Sequence, residues 1–461
     1  MIRWPLLPCC RKKTKKKRSS QIWRLHSERG APATAGAPTF IPAKFLAPHQ
    51  GCKDVRILGL MKNMRRILAV LLVLSAPLVL FSSAQTSEKA AASSRYLAYV
   101  GTYTTKTESK GIYGYEFDAD TGKLTPMGVA AETRDPSWVV VHPSGKYVYA
   151  ANEAGKASAV SAFAVDATSG KLTLLNQMPS LGNDPCHLSL DKTGKFVFVA
   201  NYSSGTIAVF PILADGRLGE HTASLKDQGT TGPNKQQQGP HAHWIEATGR
   251  NHFVYVADLG LDEVLIYKFD ATNGSLTING QPAAKATAGK EAALDPLSAK
   301  LNPGAGPRHV AFGSGGRFMY VLGEIQSTVT VFANDAHETN RAVQTISTLP
   351  KDFSGRNDAA EIAVHPSGKF LYASNRGHES IAVFAIDPAK GTLTFVAHVP
   401  TGGKEPRHFA IDPSGKFLLA ENQFSNNIVV FKIDAVTGGL ATTGQVAEVP
   451  SPVNLTFLLE K

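Results

Sequence analysis

Between Tyr96 and Leu458 the chain is written in short apolar runs, alternating or β-branched, each closed by a polar turn. One unit reads Pro136-Ser-Trp-Val-Val-Val-His-Pro-Ser-Gly145-Lys-Tyr-Val-Tyr-Ala-Ala-Asn152, and it returns as Pro185-Cys-His-Leu-Ser-Leu-Asp-Lys-Thr-Gly194-Lys-Phe-Val-Phe-Val-Ala-Asn201. Period-two alternation of this kind predicts strands, not helices. Further copies place Gly249, Gly316, Gly368 and Gly415 at the same turn, so six units follow one another at intervals of 47 to 67 residues. That interval fits one four-stranded blade with its loops. A third strand such as Ile207-Ala-Val-Phe210 or Ile381-Ala-Val-Phe384 leads into a second marker, Asp-x3-Gly-x-Leu. The marker begins at Asp118, Asp166, Asp270, Asp387 and Asp434. Asp accepts a backbone hydrogen bond there, Gly takes positive φ, and Leu restarts a strand, so no bound metal is needed to explain it.

The two ends supply a seventh unit. Tyr96 to Thr102 and Gly111 to Phe117 read as strands two and three of a blade that lacks strand one. Pro452-Val-Asn-Leu-Thr-Phe-Leu458 reads as the missing strand. The predicted fold is all-β, a seven-bladed β-propeller whose ring is closed by the C-terminal strand completing the N-terminal blade. Closure leaves only short sheet edges.

Charge changes the picture only at the N-terminus. The chain carries 48 Lys and Arg against 37 Asp and Glu; residues 1–84 hold 16 and 2 of these, leaving 32 and 35 for the rest. The body is mildly acidic, which excludes a nucleic-acid reading. Met61-Lys-Asn-Met-Arg-Arg66, the apolar run 67–81 and Ser82-Ser-Ala84 have the build of a secretory signal. The expected organisation is an upstream extension at 1–60, a signal peptide at 61–84, a linker at 85–95 and the propeller at 96–461. The protein is expected to be exported, periplasmic or extracellular, with no membrane attachment after cleavage and a monomeric body. Only Cys186 of the four cysteines remains there, so no internal disulfide is available and the thiol is expected as a small buried residue.

If strand one descends along the central tunnel, strand two returns to the upper face. Both repeated turns then fall on the lower face, and the upper positions differ from blade to blade. The pair opening strand one reads Ser137-Trp138, Cys186-His187, a region holding His241 and His243, Arg308-His309, Ala360-Glu361 and Arg407-His408. Fifteen residues after each pair stand Glu153, Tyr202, the Asp258–Leu259 region, Glu324, Arg376 and Gln423. These side chains are expected to converge on one mouth, walled or covered by the long connections 219–240 and 278–306.

At these residues the sequence resembles the seven-bladed lactonase family, which includes propeller-type 6-phosphogluconolactonases and carboxymuconate lactonizing enzymes. The matching stretches include VGTYT at 100–104, ANYSSGTIAVFPI at 200–212, PHAHWIEATG at 240–249, GAGPRHVAF at 304–312, HPSGKFLYASNRGHESIAVF at 365–384 and PRHFAIDPSGKFLLAENQ at 406–423. The resemblance implies a lactone site built from His243, with His241 as a register alternative, together with Arg308, Glu324 and Arg376. His241, His187, His309, Arg407, His408 and Glu153 are expected to line it and bind substrate. One departure stands beside the glutamate: the family commonly has Val-Asn-Glu where this chain has Leu322-Gly323-Glu324.

The function implied is hydrolysis of a small-molecule sugar lactone, 6-phosphogluconolactonase-like, within carbohydrate metabolism and the pentose phosphate pathway. His243 is the candidate general base, Glu324 an orienting or relay group, and the two arginines stabilise the oxyanion. No cofactor and no metal are required. A non-catalytic cell-surface binding propeller and a carboxymuconate-type lactonizing cycloisomerase are the alternatives.

Overall fold

The computed structural model describes residues 95–278, 298–334 and 340–459; the readings for residues 1–84 and for all of the linker but Arg95 lie outside them. Among the described residues there are seven antiparallel sheets, six of four strands and one of five. Blade 1 runs Pro452–Leu459, Arg95–Thr102, Gly111–Asp118, Lys123–Glu132, so the C-terminal strand is the first strand of the N-terminal blade. Blades 2 to 7 follow in chain order from inner strands Pro136–Val141, Pro185–Leu190, Ala242–Ala247, Pro307–Phe312, Asp358–Val364 and Pro406–Ile411. Each inner strand packs on the next, and the last packs on Pro452–Leu459, closing the ring. Across the closure the Val139 N–H donates to Asn454 Oδ1 at 2.9 Å.

The blades are held by seven apolar clusters, each shared by two neighbours. Successive residues of one strand serve opposite clusters: Val310 packs toward blade 4 and Ala311 toward blade 6. This is the period-two geometry of a strand buried on both faces.

Every inner strand carries a β-bulge near its start. Pairing jumps from Pro136 to Trp138, Pro185 to His187, Ala242 to Trp244, Pro307 to His309 and Pro406 to His408, with matching shifts at 359–362 and at 452–454. A bulge re-aims the extra residue, so two consecutive side chains can serve one face. It also fixes the register left open for blade 4: the equivalent pair is His243-Trp244, and His241 stands before the strand. The same two-residue slip moves the turn. The left-handed residue of blade 4 is Asn251 at φ 58°, not Gly249, whereas Gly145, Gly194, Gly368 and Gly415 lie at φ 69–72°.

The connection expected at 219–240 in fact contains the outer strand Ala223–Lys226 of blade 3. Its remainder is fastened down, with Gln237 donating to the Leu259 carbonyl at 2.8 Å and to Asp262 at 2.7 Å, so it is a wall. In the connection 278–306, Ser298–Lys300 pairs with the upper part of strand Glu263–Asp270, whose lower part pairs with Ser275–Ile278. The segment 279–297 lies outside the described residues.

Candidate active site at the upper mouth

The end of each second strand reaches the upper mouth on a fixed backbone. Tyr103, Glu153, Tyr202 and Glu324 donate their N–H to the carbonyls of Ser451, Asp135, Asp184 and Gly306 at 2.8–3.2 Å. All four acceptor residues have positive φ, between 41° and 64°. The main chain thus satisfies itself, and the side chain is free to differ in every blade.

Glu324 is the meeting point of two blades. Its carboxylate lies 2.9 Å from Arg308 Nε and 3.2 Å from the Arg376 guanidinium. Arg376 also donates through Nε to the Asp358 carbonyl at 3.1 Å and lies 3.7 Å from Glu405. Burial alone would raise the Glu324 carboxyl, but Arg376, Arg308 and Arg407 outweigh it and hold it below the usual carboxylate range. Burial and the neighbouring Arg376 and Arg407 bring Arg308 down to about 10, still a cation at neutral pH.

A second polar group faces this one from blades 7, 1 and 2. Arg407 donates to the Tyr103 hydroxyl at 2.9 Å and lies over its ring, and Tyr103 donates to Glu153 at 2.7 Å. Burial pushes the Tyr103 phenol far up, so it remains a donor.

The imidazoles divide by depth. His243 occupies the bulge position equivalent to Arg308 and Arg407, with its ring 5.5 Å from Tyr202 and 5.2 Å from His309. Its Nδ1 is buried without a partner among the described residues. Burial, then Arg308, His309 and Arg407, keep the ring neutral. His241 stands to one side, stacked on Tyr202 at 4.7 Å with Nδ1 on the Tyr202 carbonyl. His187, His309 and His408 lie deeper and surround Trp138 at 4.3, 5.2 and 5.2 Å, a layer of rings within the tunnel. Cys186 is buried against the carbonyls of Ala242 and His243, and burial pushes its thiol up.

The structure therefore brings Arg308, Glu324 and Arg376 into direct contact with His243 beside them, and sets Arg407 and Glu153 around Tyr103. It places His241 in the wall and His187, His309 and His408 below. Sequence reasoning missed Tyr103, because blade 1 takes its first strand from the other end of the chain and the fifteen-residue count could not be run across that gap. The pattern was there in outline, since Tyr103 follows Thr102 as Glu153 follows Asn152. Glu405 and Glu421 carried no signal in the repeat.

Gly323 has a plain structural reason. Its counterparts Asn152, Asn201, Asn375 and Asn422 donate sideways to main-chain carbonyls, whereas a Cβ at Gly323 would lie 2.9 Å from the Ala305 carbonyl. The residue before Glu324 is scaffold.

A cleft of about 690 Å³ lies at the other end of the molecule, under blades 4 and 5, lined by Arg250, Phe253, Phe312 and Arg317 among others. It holds none of the expected residues. The mouth, with buried charged groups from four or more blades converging, is the better candidate for chemistry.

Comparison with known proteins agrees. The family described as Lactonase, 7-bladed beta-propeller, matches residues 97–457. The 6-phosphogluconolactonase of Bacillus subtilis is 36% identical over 314 residues, covering 68% of this chain and 84% of that protein. The 6-phosphogluconolactonase of Formosa agariphila is 33% identical over 320 residues, covering 67% and 84%. The structure of a periplasmic gluconolactonase from Pseudomonas aeruginosa superposes with a TM-score of 0.71 at 32% identity, covering 79% of this chain and 99% of that one. Blade count, ring closure and these matches together place the chain in the seven-bladed β-propeller lactonase family.

Proposed function

We propose that this protein hydrolyses a sugar lactone at the upper mouth, with aldonolactones of the 6-phosphogluconolactone and gluconolactone kind as its substrate class. The observation that carries the reading is one carboxylate, Glu324, held between two arginines with an unpartnered neutral imidazole, His243, beside them. The names borne by the relatives support the same class.

In this mechanism water attacks the lactone carbonyl and passes a proton to the His243 imidazole. The tetrahedral oxyanion that forms is stabilised by Arg308 and Arg376, whose planar forks suit it. Glu324 contacts both guanidinium groups, so its role is to orient them, not the imidazole. Collapse breaks the ring C–O bond, and the proton on His243 returns to the departing ring oxygen. The resting arginines depress the basicity of His243; the developing oxyanion neutralises their field, so basicity rises as the transition state forms. Arg407, Tyr103 and Glu153 offer hydrogen bonds to substrate hydroxyls.

Residues 61–84 are proposed to direct export, in keeping with the periplasmic relative. Protein expressed from Met61 in a bacterial host is expected in the periplasm, starting at Gln85 by N-terminal sequencing, and accelerating the opening of fresh 6-phosphoglucono- or glucono-δ-lactone well above buffer. Turnover of neither lactone removes the assignment, and ring closure of cis,cis-muconates in their place identifies a cycloisomerase.

A further inference from the structure

We propose that Glu361, acting through His309, is a positioning residue that fixes the Arg308 guanidinium for the lactone chemistry proposed above, the reading on which this role rests. Arg308 and His309 are neighbours in sequence, and in a regular strand their side chains would point to opposite faces. The bulge between Pro307 and His309 turns both toward the tunnel, so that Arg308 Nη1 comes within 3.2 Å of His309 Nε2. The other contact of Nη1 is the carbonyl of Ala360, in the next blade.

The direction of each bond follows from chemistry. A guanidinium has donors and no acceptor, so His309 Nε2 must accept. The proton of the neutral ring then sits on Nδ1, which donates to Glu361 Oε2 at 2.9 Å. The other oxygen of Glu361 accepts from the Ile362 N–H at 3.0 Å, and its own N–H donates to Ser374 at 2.9 Å. His408 approaches the same carboxylate at 3.6 Å through Nε2 and lies 2.7 Å from Glu421 through Nδ1. His309 is 1% exposed and Glu361 7%, and Trp138 packs on both imidazoles.

Blade 6 therefore grips Arg308 twice, by the Ala360 carbonyl and, through His309, by the Glu361 carboxylate. Both hydrogens of Nη1 are used. Nε faces Glu324, and Nη2 has no protein partner among the described residues, which leaves it for a ligand. His309 and His408, with both ring nitrogens turned to buried partners, are positioning groups and not substrate contacts.

The test is a double-mutant cycle on freshly prepared glucono-δ-lactone and 6-phosphoglucono-δ-lactone. His309→Leu and Glu361→Leu are expected to lower kcat by about 10- to 100-fold with little change in KM. His309→Gln, whose amide oxygen accepts from Nη1, is expected to recover most of the loss. Arg308→Lys/His309→Leu is expected to be no slower than Arg308→Lys alone, because the imidazole acts only through that arginine. Additive losses, or a His309→Leu enzyme within about twofold of wild type, overturn the role. A loss that follows thermal stability alone and is not recovered by His309→Gln also overturns it.

Nitrogen-15 NMR of imidazole-labelled wild-type protein reads the hydrogen-bond direction without any variant. A neutral Nδ1–H tautomer at His309 supports the assignment, and a Nε2–H tautomer overturns it. A wild type that turns over neither lactone removes the lactonase reading and this role with it, whereas turnover with an additive cycle removes this role alone.

Discussion

The two ends of the ring are built from the same repeat and solve the same backbone problem differently. At the lower end particular side chains make the turns. His142 closes on Ser144 at 2.8 Å and crosses to the Gly194 carbonyl at 2.9 Å, and four blades on His365 does the same with Ser367 and Gly415 at 2.8 Å each. Asp118, Asp166, Asp387 and Asp434 each accept the N–H two residues on. At the upper end the corresponding bonds run from main chain to main chain. Upper loops are braced by side chains too, Asp135 accepting the N–H groups of Thr104 and Thr105 and Asp258 those of His241, Gly260 and Leu261, but the residue that ends the second strand in blades 1, 2, 3 and 5 is held through its own N–H. The side chain at that one position is released from folding duty, and that freedom lets blade 5 present Glu324 where blade 3 presents Tyr202 and blade 2 Glu153.

If this division is right, substitutions at the two ends separate activity from stability. The largest effect is expected at Arg308. Arg308→Ala removes one oxyanion donor and the partner of Glu324, and kcat/KM should fall about 100- to 1,000-fold. The buried acceptors left behind, the Ala360 carbonyl and His309 Nε2, cost about 1–3 kcal/mol of stability, so the ring remains closed. A kinetic comparison of purified wild type and variant with matched circular dichroism decides it; an unchanged rate moves the chemistry away from this mouth.

Gly438→Ala is the mirror experiment at the lower end. Gly438 lies at φ +73°, and a Cβ there would meet the buried Phe370 ring at 2.4 Å. The strained backbone and the overlap together are expected to cost about 1–3 kcal/mol. The melting temperature should drop while kcat/KM of the folded enzyme stays at the wild-type value. A loss of activity at permissive temperature would show that the two ends are coupled and break the comparison.

The same division explains what the sequence could disclose. The lower turns repeat closely, so six blades and their order were readable from the glycine turn between the first two strands and from Asp-x3-Gly-x-Leu. The upper residues follow no rule of type, only one of position. Counting fifteen from the opening pair therefore found Glu153, Tyr202, Glu324 and Arg376, and failed wherever the register was uncertain. In blade 4, Asn251 takes the left-handed place that glycine marks elsewhere, and reading Gly249 in its stead left His241 and His243 undivided. The bulges are invisible in the sequence, because an extra residue near the start of a strand leaves no change in composition. For that reason Arg308 and His309 could be named as a pair but not seen as neighbours on one face. Glu361 could be placed at the mouth without its hold on two histidines emerging.

The smallest effect expected is a tilt of stability with pH, and the upper half of the tunnel is its source. Burial first, then neighbouring cations and imidazoles, keep His187, His243 and His309 neutral well below the usual imidazole range, and His408 is brought down to about 4. In the unfolded chain the same rings take up protons near pH 6.5. Their contribution is complete above that value and is lost as pH falls toward the folded values, because the unfolded state then binds protons that the folded state refuses. Glu324, held low by its arginines after the opposing effect of burial, adds a further loss below about pH 4.3. Glu361 and Glu421 work the other way, since burial raises both and favours the folded state as they protonate. Burial also raises Asp227, Asp258 and Glu379 and lowers His378, so the net slope is a balance of both kinds of group and the part due to the tunnel rings is read by removing one of them. Melting curves of the wild type at pH 7 and pH 5 give the reference difference in Tm. Replacing His187, whose ring lies between Trp138 at 4.3 Å and Trp244 at 5.7 Å, by Phe should raise the Tm at pH 5 relative to that at pH 7 by removing one of the four rings. A difference that survives unchanged shows that the His187 ring does not contribute to the pH dependence.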